Sequence, residues 1–235
     1  MKSKGKKFWD FKALDDKTGE LTLYGEISDV TWWGDEVTPK QFKEDLDALG
    51  DIETLNVYIN SPGGDVFAGQ AIYSMLNRHK AYKKVYIDGL AASIASLVAM
   101  AGDKIIMPAN AMMMIHSPWT FAFGNAQEFR KLADDMDKIR DSMIVAYESR
   151  SALTTEEITE IMDAETWLSA EDCLGYGLAD EIEEAKQVAA CVDEKYFARY
   201  VNVPKDLLQE QSQEPDEEVR AKDLKKQKLL LELDL

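Results

Sequence analysis

The chain is short of positive charge and of cysteine. It carries 27 Lys and Arg against 44 Asp and Glu, a net charge of −17. Nucleic acids and anionic membranes bind surfaces rich in Lys and Arg, so this charge argues against both as partners. The two cysteines, Cys173 and Cys191, lack a metal-binding spacing and favour a reducing compartment. No motif for a metal or a nucleotide appears, so we expect neither a metal nor a cofactor.

Long hydrophobic runs are also lacking. The longest, residues 90–101, is too short and too rich in Ala and Ser to span a bilayer. Residues 1–9 are basic, but no apolar segment follows them, which argues against a signal peptide. We therefore expect a cytoplasmic protein without a membrane partner. Its 235 residues allow one good hydrophobic core with an arm or tail to spare.

Strand and helix patterns alternate along the chain, which is typical of an α/β fold with a mainly parallel sheet. Strands are predicted at residues 21–27, 55–59, 85–87, 104–108 and 111–115, and helices at 38–49, 67–77, 90–102, 126–149 and 154–162, with a short helix capped by Ser169. Thr38 is the predicted N-cap of the first helix, and a turn is predicted at Asp88-Gly89. We predict a mobile arm or edge strand at residues 1–20, a folded domain at 21–185 and a charged, partly disordered extension at 186–235.

Three groups capable of chemistry each follow a predicted strand directly. They are the pair Gly63-Gly64, Ser93 and His116. Loops at the carboxyl ends of parallel strands lie at one edge of the sheet, where sites are built. We therefore expect these groups to converge there.

Ser93 and His116 together predict nucleophilic catalysis. A serine hydroxyl reacts poorly until a base takes its proton, and the chain has only two histidines. His79 falls in a polar stretch at a helix end, whereas His116 ends an apolar strand. The alternatives are an N-capping role for Ser93 and a structural role for His116. Ser96, one turn further on, is expected to be dispensable for catalysis.

Acyl transfer also needs N–H donors for the oxyanion that develops on the substrate. Gly63 and Gly64 allow an open backbone whose N–H groups can face a ligand, and Ile94 follows the nucleophile and can supply another. The alternative for the glycine pair is an ordinary turn.

These residues belong to motifs that resemble a known family. The motifs are Tyr58-Ile-Asn-Ser-Pro-Gly-Gly64, Gly89-Leu-Ala-Ala-Ser93, Met114-Ile-His116-Ser-Pro118, Leu168-Ser-Ala-Glu-Asp172 and Gly175-Tyr-Gly-Leu-Ala-Asp180. Their order and spacing over residues 20–183 are similar to those of ClpP, the Clp protease proteolytic subunit. Glu165-Thr-Trp167 and Gly124-Asn125 look closer to the ClpP-like head maturation (prohead) proteases of tailed phages and prophages.

The resemblance implies the ClpP/crotonase fold with a projecting long helix. It implies a serine endopeptidase with Ser93 as nucleophile, His116 as general base and the Gly63, Gly64 and Ile94 amides as oxyanion hole. The family's usual aspartate position is Glu165 here, and Asp163 is the fallback third member of the triad.

The resemblance also implies an assembly and a substrate. We expect a homo-oligomer, the seven-membered ring of the family, formed through the apolar stripe of the long helix. That stripe comprises Phe129, Leu132, Met136, Ile139 and Met143. The expected substrate is a capsid or scaffold protein, processed in the host cytoplasm or inside the prohead. Three alternatives stay open: a ClpP subunit working under an ATPase, which the charged extension disfavours; a non-proteolytic crotonase-type enzyme; and an inactive structural ring.

Overall fold

Strands and helices alternate around one mixed sheet. The computed structural model describes residues 7–28, 39–185 and 198–204. The strands are β1 (Trp9–Ala13), β2 (Thr18–Tyr24), β3 (Thr54–Ser61), β4 (Tyr82–Ala92), β5 (Lys104–Pro108), β6 (Met112–Ile115), β7 (Thr166–Ser169) and β8 (Glu181–Glu183). The helices are α1 (Pro39–Asp47), α2 (Val66–Arg78), α3 (Ile94–Ala99), α4 (Ala126–Glu148), α5 (Thr155–Asp163) and α6 (Ala170–Tyr176).

Most pairings in the sheet are parallel. β1 is antiparallel to β2, and parallel pairings then run from β2 through β3, β4 and β5 to β8. β6 is parallel to the far end of β4 and antiparallel to β7. The prediction of an α/β fold with a mainly parallel sheet is confirmed.

β4 is longer than predicted and changes partner along its length. Its residues 84–86 pair with β5, whereas residues 90–92 pair with β6. Asp88 and Gly89 lie between these two pairings and inside the strand, so the predicted turn is wrong. The helix that follows is correspondingly shorter, Ile94–Ala99 instead of residues 90–102. A change of strand partner depends on residues far along the chain, which local turn signals do not report.

The N-terminal part of the sheet also differs from the predicted arm at residues 1–20. β1 and the start of β2 lie in that range, and Trp9 is only 4% exposed. Trp9 packs edge-on against Phe42 of α1 with ring centroids 5.4 Å apart. Of the two possibilities, the structure has the edge strand. Thr38, and the extension beyond residue 204, lie outside the described residues.

Close packing of α2 on α3 fixes the start of α3. A Cβ on Gly69 would lie 2.2 Å from Ile94 Cγ1, so only glycine allows this approach. Every residue of α3 is buried. In β3, Leu55, Val57 and Ile59 alternate into the core and are fully buried. These contacts hold the sheet edge at which β3, β4 and β6 end.

The long helix α4 extends from this core. No residue between Ala126 and Ser142 is buried, whereas Met143, Ile144, Ala146 and Tyr147 are. Along the predicted apolar stripe, Phe129 is 48% exposed and Met136 is half-buried. None of the helices in the described part of the chain combines the length and apolar character needed to cross a membrane.

Gly64→Ala should destabilise the protein by at least about 2 kcal/mol, because Gly64 has a φ of 148° and a Cβ there would lie 1.9 Å from the Ile27 carbonyl oxygen. Chemical denaturation of the full chain measures this loss. The matched control is Gly175→Ala in α6, where an added Cβ meets nothing within 4 Å. That change should stabilise by up to about 1 kcal/mol. Equal effects of the two substitutions would contradict this account of the glycine loop.

Candidate active site

Ser93 stands in a strained turn between β4 and α3. Its φ is 54°, and its N–H donates to the Met114 carbonyl at 2.8 Å, which ties the end of β4 to β6. The side chain makes no N-capping hydrogen bond, so the capping alternative is wrong. Non-glycine residues seldom adopt positive φ, and those that do concentrate at functional sites.

The hydroxyl of Ser93 faces His116 instead. A hydrogen bond of 2.7 Å joins Ser93 Oγ to His116 Nε2, and both residues are 8% exposed. His116 follows the last residue of β6, and the next residue is anchored because the Ser117 N–H donates to the Met162 carbonyl at 3.0 Å. The distance suits proton transfer from a nucleophile to a base. The predicted convergence of these two side chains is present in the structure.

The glycine pair lies beside Ser93. A Cβ on Gly63 would be 2.7 Å from Ser93 Cβ, so the loop passes close to Ser93. The Gly63 N–H donates to Ser61 Oγ at 3.1 Å, and Ser61 Oγ donates to the Gly25 carbonyl at 2.6 Å. Among the described residues, the N–H groups of Gly64 and Ile94 have no hydrogen-bond acceptor. Two of the three predicted oxyanion donors therefore remain available to a substrate.

Ser96 supports the Ser93 turn from the core. Its hydroxyl donates to the Ser93 carbonyl at 2.6 Å and lies 2.8 Å from the hydroxyl of Tyr147. Ser96 and Tyr147 are almost completely buried, and burial raises the pKa of Tyr147. Ser96 thus steadies the backbone of the Ser93 turn without contacting the reacting hydroxyl.

The two carboxylates predicted as third member of the triad have different partners. Glu165 influences His116 electrostatically, but its Oε1 accepts hydrogen bonds of 2.7 Å from the N–H groups of Val201 and Asn202. Asp163 Oδ1 accepts from Ser117 Oγ at 2.7 Å. No hydrogen bond joins either carboxylate to His116 within the described residues. Glu165 shares with Ser93 a positive φ, 47°, and these two are the non-glycine residues with that property in the described ranges.

Comparison of the sequence with known proteins identifies the family to which the chain belongs. Residues 36–186 match the Clp protease family. The chain is 34% identical, over 140 residues, to the ATP-dependent Clp protease proteolytic subunit of Deinococcus radiodurans. The aligned region covers 58% of this chain and 68% of that protein. It is 33% identical, over 148 residues, to the subunit of the same name from Streptococcus equi subsp. equi, covering 61% of this chain and 76% of that protein.

The chain belongs to the Clp protease family. It is a ClpP-type serine protease, as its motifs predicted. Residues 187–235 lie beyond the part that matches the family.

Residues 199–202 are the part of the site that the motifs did not reveal. They fall in the predicted charged extension, yet Arg199 and Tyr200 line the cavity at this Clp protease site together with Ser93, His116 and Trp119. The cavity has a volume of about 100 Å³. The one signal in the sequence was the apolar cluster Tyr196-Phe-Ala-Arg-Tyr200-Val within an otherwise charged stretch.

No group of three or more His, Cys, Asp or Glu in the described ranges is arranged to hold a metal ion.

His116 should titrate below its ordinary pKa of 6.5, because burial disfavours the charged imidazolium and so lowers the pKa of His116, while Glu165 acts weakly in the opposite direction. An NMR titration of the full chain tests this. His79→Gln leaves His116 as the single histidine and removes any ambiguity of assignment. A midpoint above pH 6.5 would show that a carboxylate partner outweighs burial.

Proposed function

We propose that this Clp protease is an endopeptidase that cleaves peptide bonds through an acyl-enzyme formed on Ser93. The observation that carries the proposal is the 2.7 Å contact between Ser93 Oγ and His116 Nε2. In the neutral tautomer with its proton on Nδ1, the imidazole accepts the serine proton at Nε2. The N–H groups of Gly64 and Ile94, which have no acceptor among the described residues, supply the donors that such chemistry needs.

The proposed reaction has two stages. Ser93 Oγ attacks the scissile carbonyl as His116 takes its proton, and the resulting oxyanion is stabilised by the N–H groups of Gly64 and Ile94. His116 then gives the proton to the leaving amine, which leaves an ester on Ser93. A water molecule, deprotonated by His116, hydrolyses this ester and restores the serine. Gly63 is not one of the proposed oxyanion donors, because its N–H already donates a hydrogen bond to Ser61 Oγ.

Glu165 is the carboxylate that we propose to orient His116. Its positive φ is a strained feature of the kind found at functional sites, and its charge partly offsets the lowering of the His116 pKa by burial. Asp163 is 55% exposed at its side chain and is bonded to Ser117, with the Arg140 guanidinium 3.7 Å away. Those partners favour a structural role for Asp163 and leave it the second candidate.

We further propose that the substrate is a capsid or scaffold protein and that the enzyme is a phage head maturation protease. Two observations support this: the motifs Glu165-Thr-Trp167 and Gly124-Asn125, and the residues that follow the family match. The named relatives support the second candidate, a proteolytic subunit that works with an ATPase. Cleavage of a loosely folded protein such as casein without ATP or an ATPase favours the first candidate over the second.

Ser93→Ala and His116→Ala should each remove nearly all casein cleavage, with similar losses because the two residues act as a unit. Covalent labelling of Ser93 by a fluorophosphonate, located by mass spectrometry, provides an independent measurement. Casein cleavage by the Ser93→Ala protein at the unmodified rate would overturn the assignment. A folded chain that stays unlabelled at Ser93 even after prolonged exposure to excess probe would favour the structural ring or the crotonase-type alternative.

Glu165→Gln should lower kcat by about a hundredfold or more while preserving the fold, because the neutral amide cannot stabilise the imidazolium that forms during attack. The matched substitution Asp163→Asn should have little effect on kcat. Circular dichroism establishes that both variants are folded. If Asp163→Asn carries the loss instead, then Asp163 is the third member of the triad.

We also propose a homo-oligomer, a ring of seven subunits, formed through the apolar stripe of α4. Phe129 is 48% exposed and Met136 half-buried in the single chain, so association would remove apolar surface from water. Met136→Asp should disperse the assembly in mass photometry at low micromolar concentration. Lys138→Asp, on the exposed side of the same helix, is the control and should leave it intact. A monomer that still cleaves casein would refute the ring.

A further inference from the structure

Residues 199–202, which we call the strap, lie across the catalytic pair. Tyr200 is 8% exposed, and its hydroxyl donates a hydrogen bond to the Pro62 carbonyl in the loop that carries the glycine pair. Its ring stands edge-on to the His116 imidazole, with centroids 5.5 Å apart and an angle of 87° between the planes. The same ring packs edge-on against Trp167 at 5.8 Å. The Tyr200 side chain therefore fills the space above His116.

The group that the strap places beside Ser93 is the Tyr200 phenol. Burial raises the pKa of Tyr200 to about 12, and the nearby side chain of Ser93 is among the smaller influences that oppose this rise. The phenol therefore keeps its proton and lies next to the nucleophile. A cleavable segment would present a peptide carbonyl to Ser93 Oγ, because that carbon is the one attacked. A phenol has no carbonyl carbon for the serine to attack. The Tyr200 side chain can therefore block the site without being cleaved.

The strap also holds Glu165, the carboxylate proposed to orient His116. Glu165 Oε1 accepts hydrogen bonds from two consecutive strap amides, those of Val201 and Asn202, each at 2.7 Å. Further anchors lie at both ends, where Arg199 pairs with Glu26 at 2.8 Å and Asn202 Nδ2 donates to the Ala164 carbonyl at 2.8 Å. The strap thus covers His116 and at the same time binds Glu165 Oε1, the carboxylate oxygen proposed to orient the imidazole.

We propose that the strap is an intramolecular inhibitor, which keeps the protease latent until it is displaced from the catalytic cleft. The proposal rests on the function proposed above, since it assigns a regulator to the same Ser93–His116 pair. Displacement removes Tyr200 from His116 and frees Glu165 Oε1 in one movement. The bonds that hold the strap are contacts of side chains and amides, so substrate or a binding partner can compete with them reversibly.

The first test is the rate at which a fluorophosphonate labels Ser93 in the full chain. Tyr200→Ala should label about tenfold faster than the unmodified chain, because a strap that closes nine sites in ten leaves one tenth competent. Arg199→Ala, which removes an anchor without touching the catalytic pair, should give a smaller increase. Val201→Ala is the control: its side chain is 86% exposed and its amide remains, so its labelling rate should be unchanged.

The second test does not depend on catalysis. In the His79→Gln chain, Tyr200→Ala should raise the pKa of His116, because removing the ring that covers the imidazole lowers the cost of charging it. Faster labelling together with the raised pKa supports the proposal. Unchanged labelling, or slower labelling, overturns it, and slower labelling identifies Tyr200 as a positioning residue.

The two proposals fail in different ways. If no variant is labelled at Ser93 but the pKa of His116 still rises in Tyr200→Ala, then the proposed function falls and takes the inhibitory role with it. If the unmodified chain is labelled as fast as Tyr200→Ala, the proposed function stands and the strap is not an inhibitor.

Discussion

The turn at Ser93 is the constraint on which the rest of the site depends. A serine at a φ of 54° directs its hydroxyl away from α3 and toward the end of β6, where His116 stands 2.7 Å away. The turn is held from both sides, by the Ser93 N–H on Met114 and by Ser96 on the Ser93 carbonyl. Backbone strain of this kind, about 1–3 kcal/mol, persists only where the surroundings fix it. The partner change of β4, the glycine loop and the packing of α2 on α3 all serve to fix it.

Much of this arrangement could be predicted from the sequence because it follows from the positions of the site residues directly after the strands. Gly64, Ser93 and His116 each follow a strand, and parallel strands bring such positions to one edge. The path of β4 could not be read in the same way. Asp88-Gly89 has the composition of a turn, but the strand continues through it because β6 takes over from β5 as its neighbour. That exchange is a property of the sheet, which local composition does not encode.

The strap could not be predicted for a related reason. Tyr200 lies far along the chain from Ser93, in a stretch whose charge and polarity indicate a solvated extension. Its contacts depend on groups from other segments, namely the Pro62 carbonyl and the rings of His116 and Trp167. Only the apolar residues around Tyr200 distinguish it from its surroundings. A few apolar residues in a charged stretch are weak evidence of docking until the surface they cover is known.

The position of Glu165 bears on how readily His116 can act as the proposed base. Burial lowers the pKa of His116, which keeps the imidazole neutral and ready to accept a proton, but also makes the imidazolium costly to form. A carboxylate bonded to Nδ1 offsets that cost during attack. Here Glu165 instead bonds to amides of residues 201 and 202, while Ser93 and His116 are already in contact. On the proposals that Glu165 orients His116 and that the strap inhibits, only Glu165 and Tyr200 need to move, because Ser93 and His116 are already in contact.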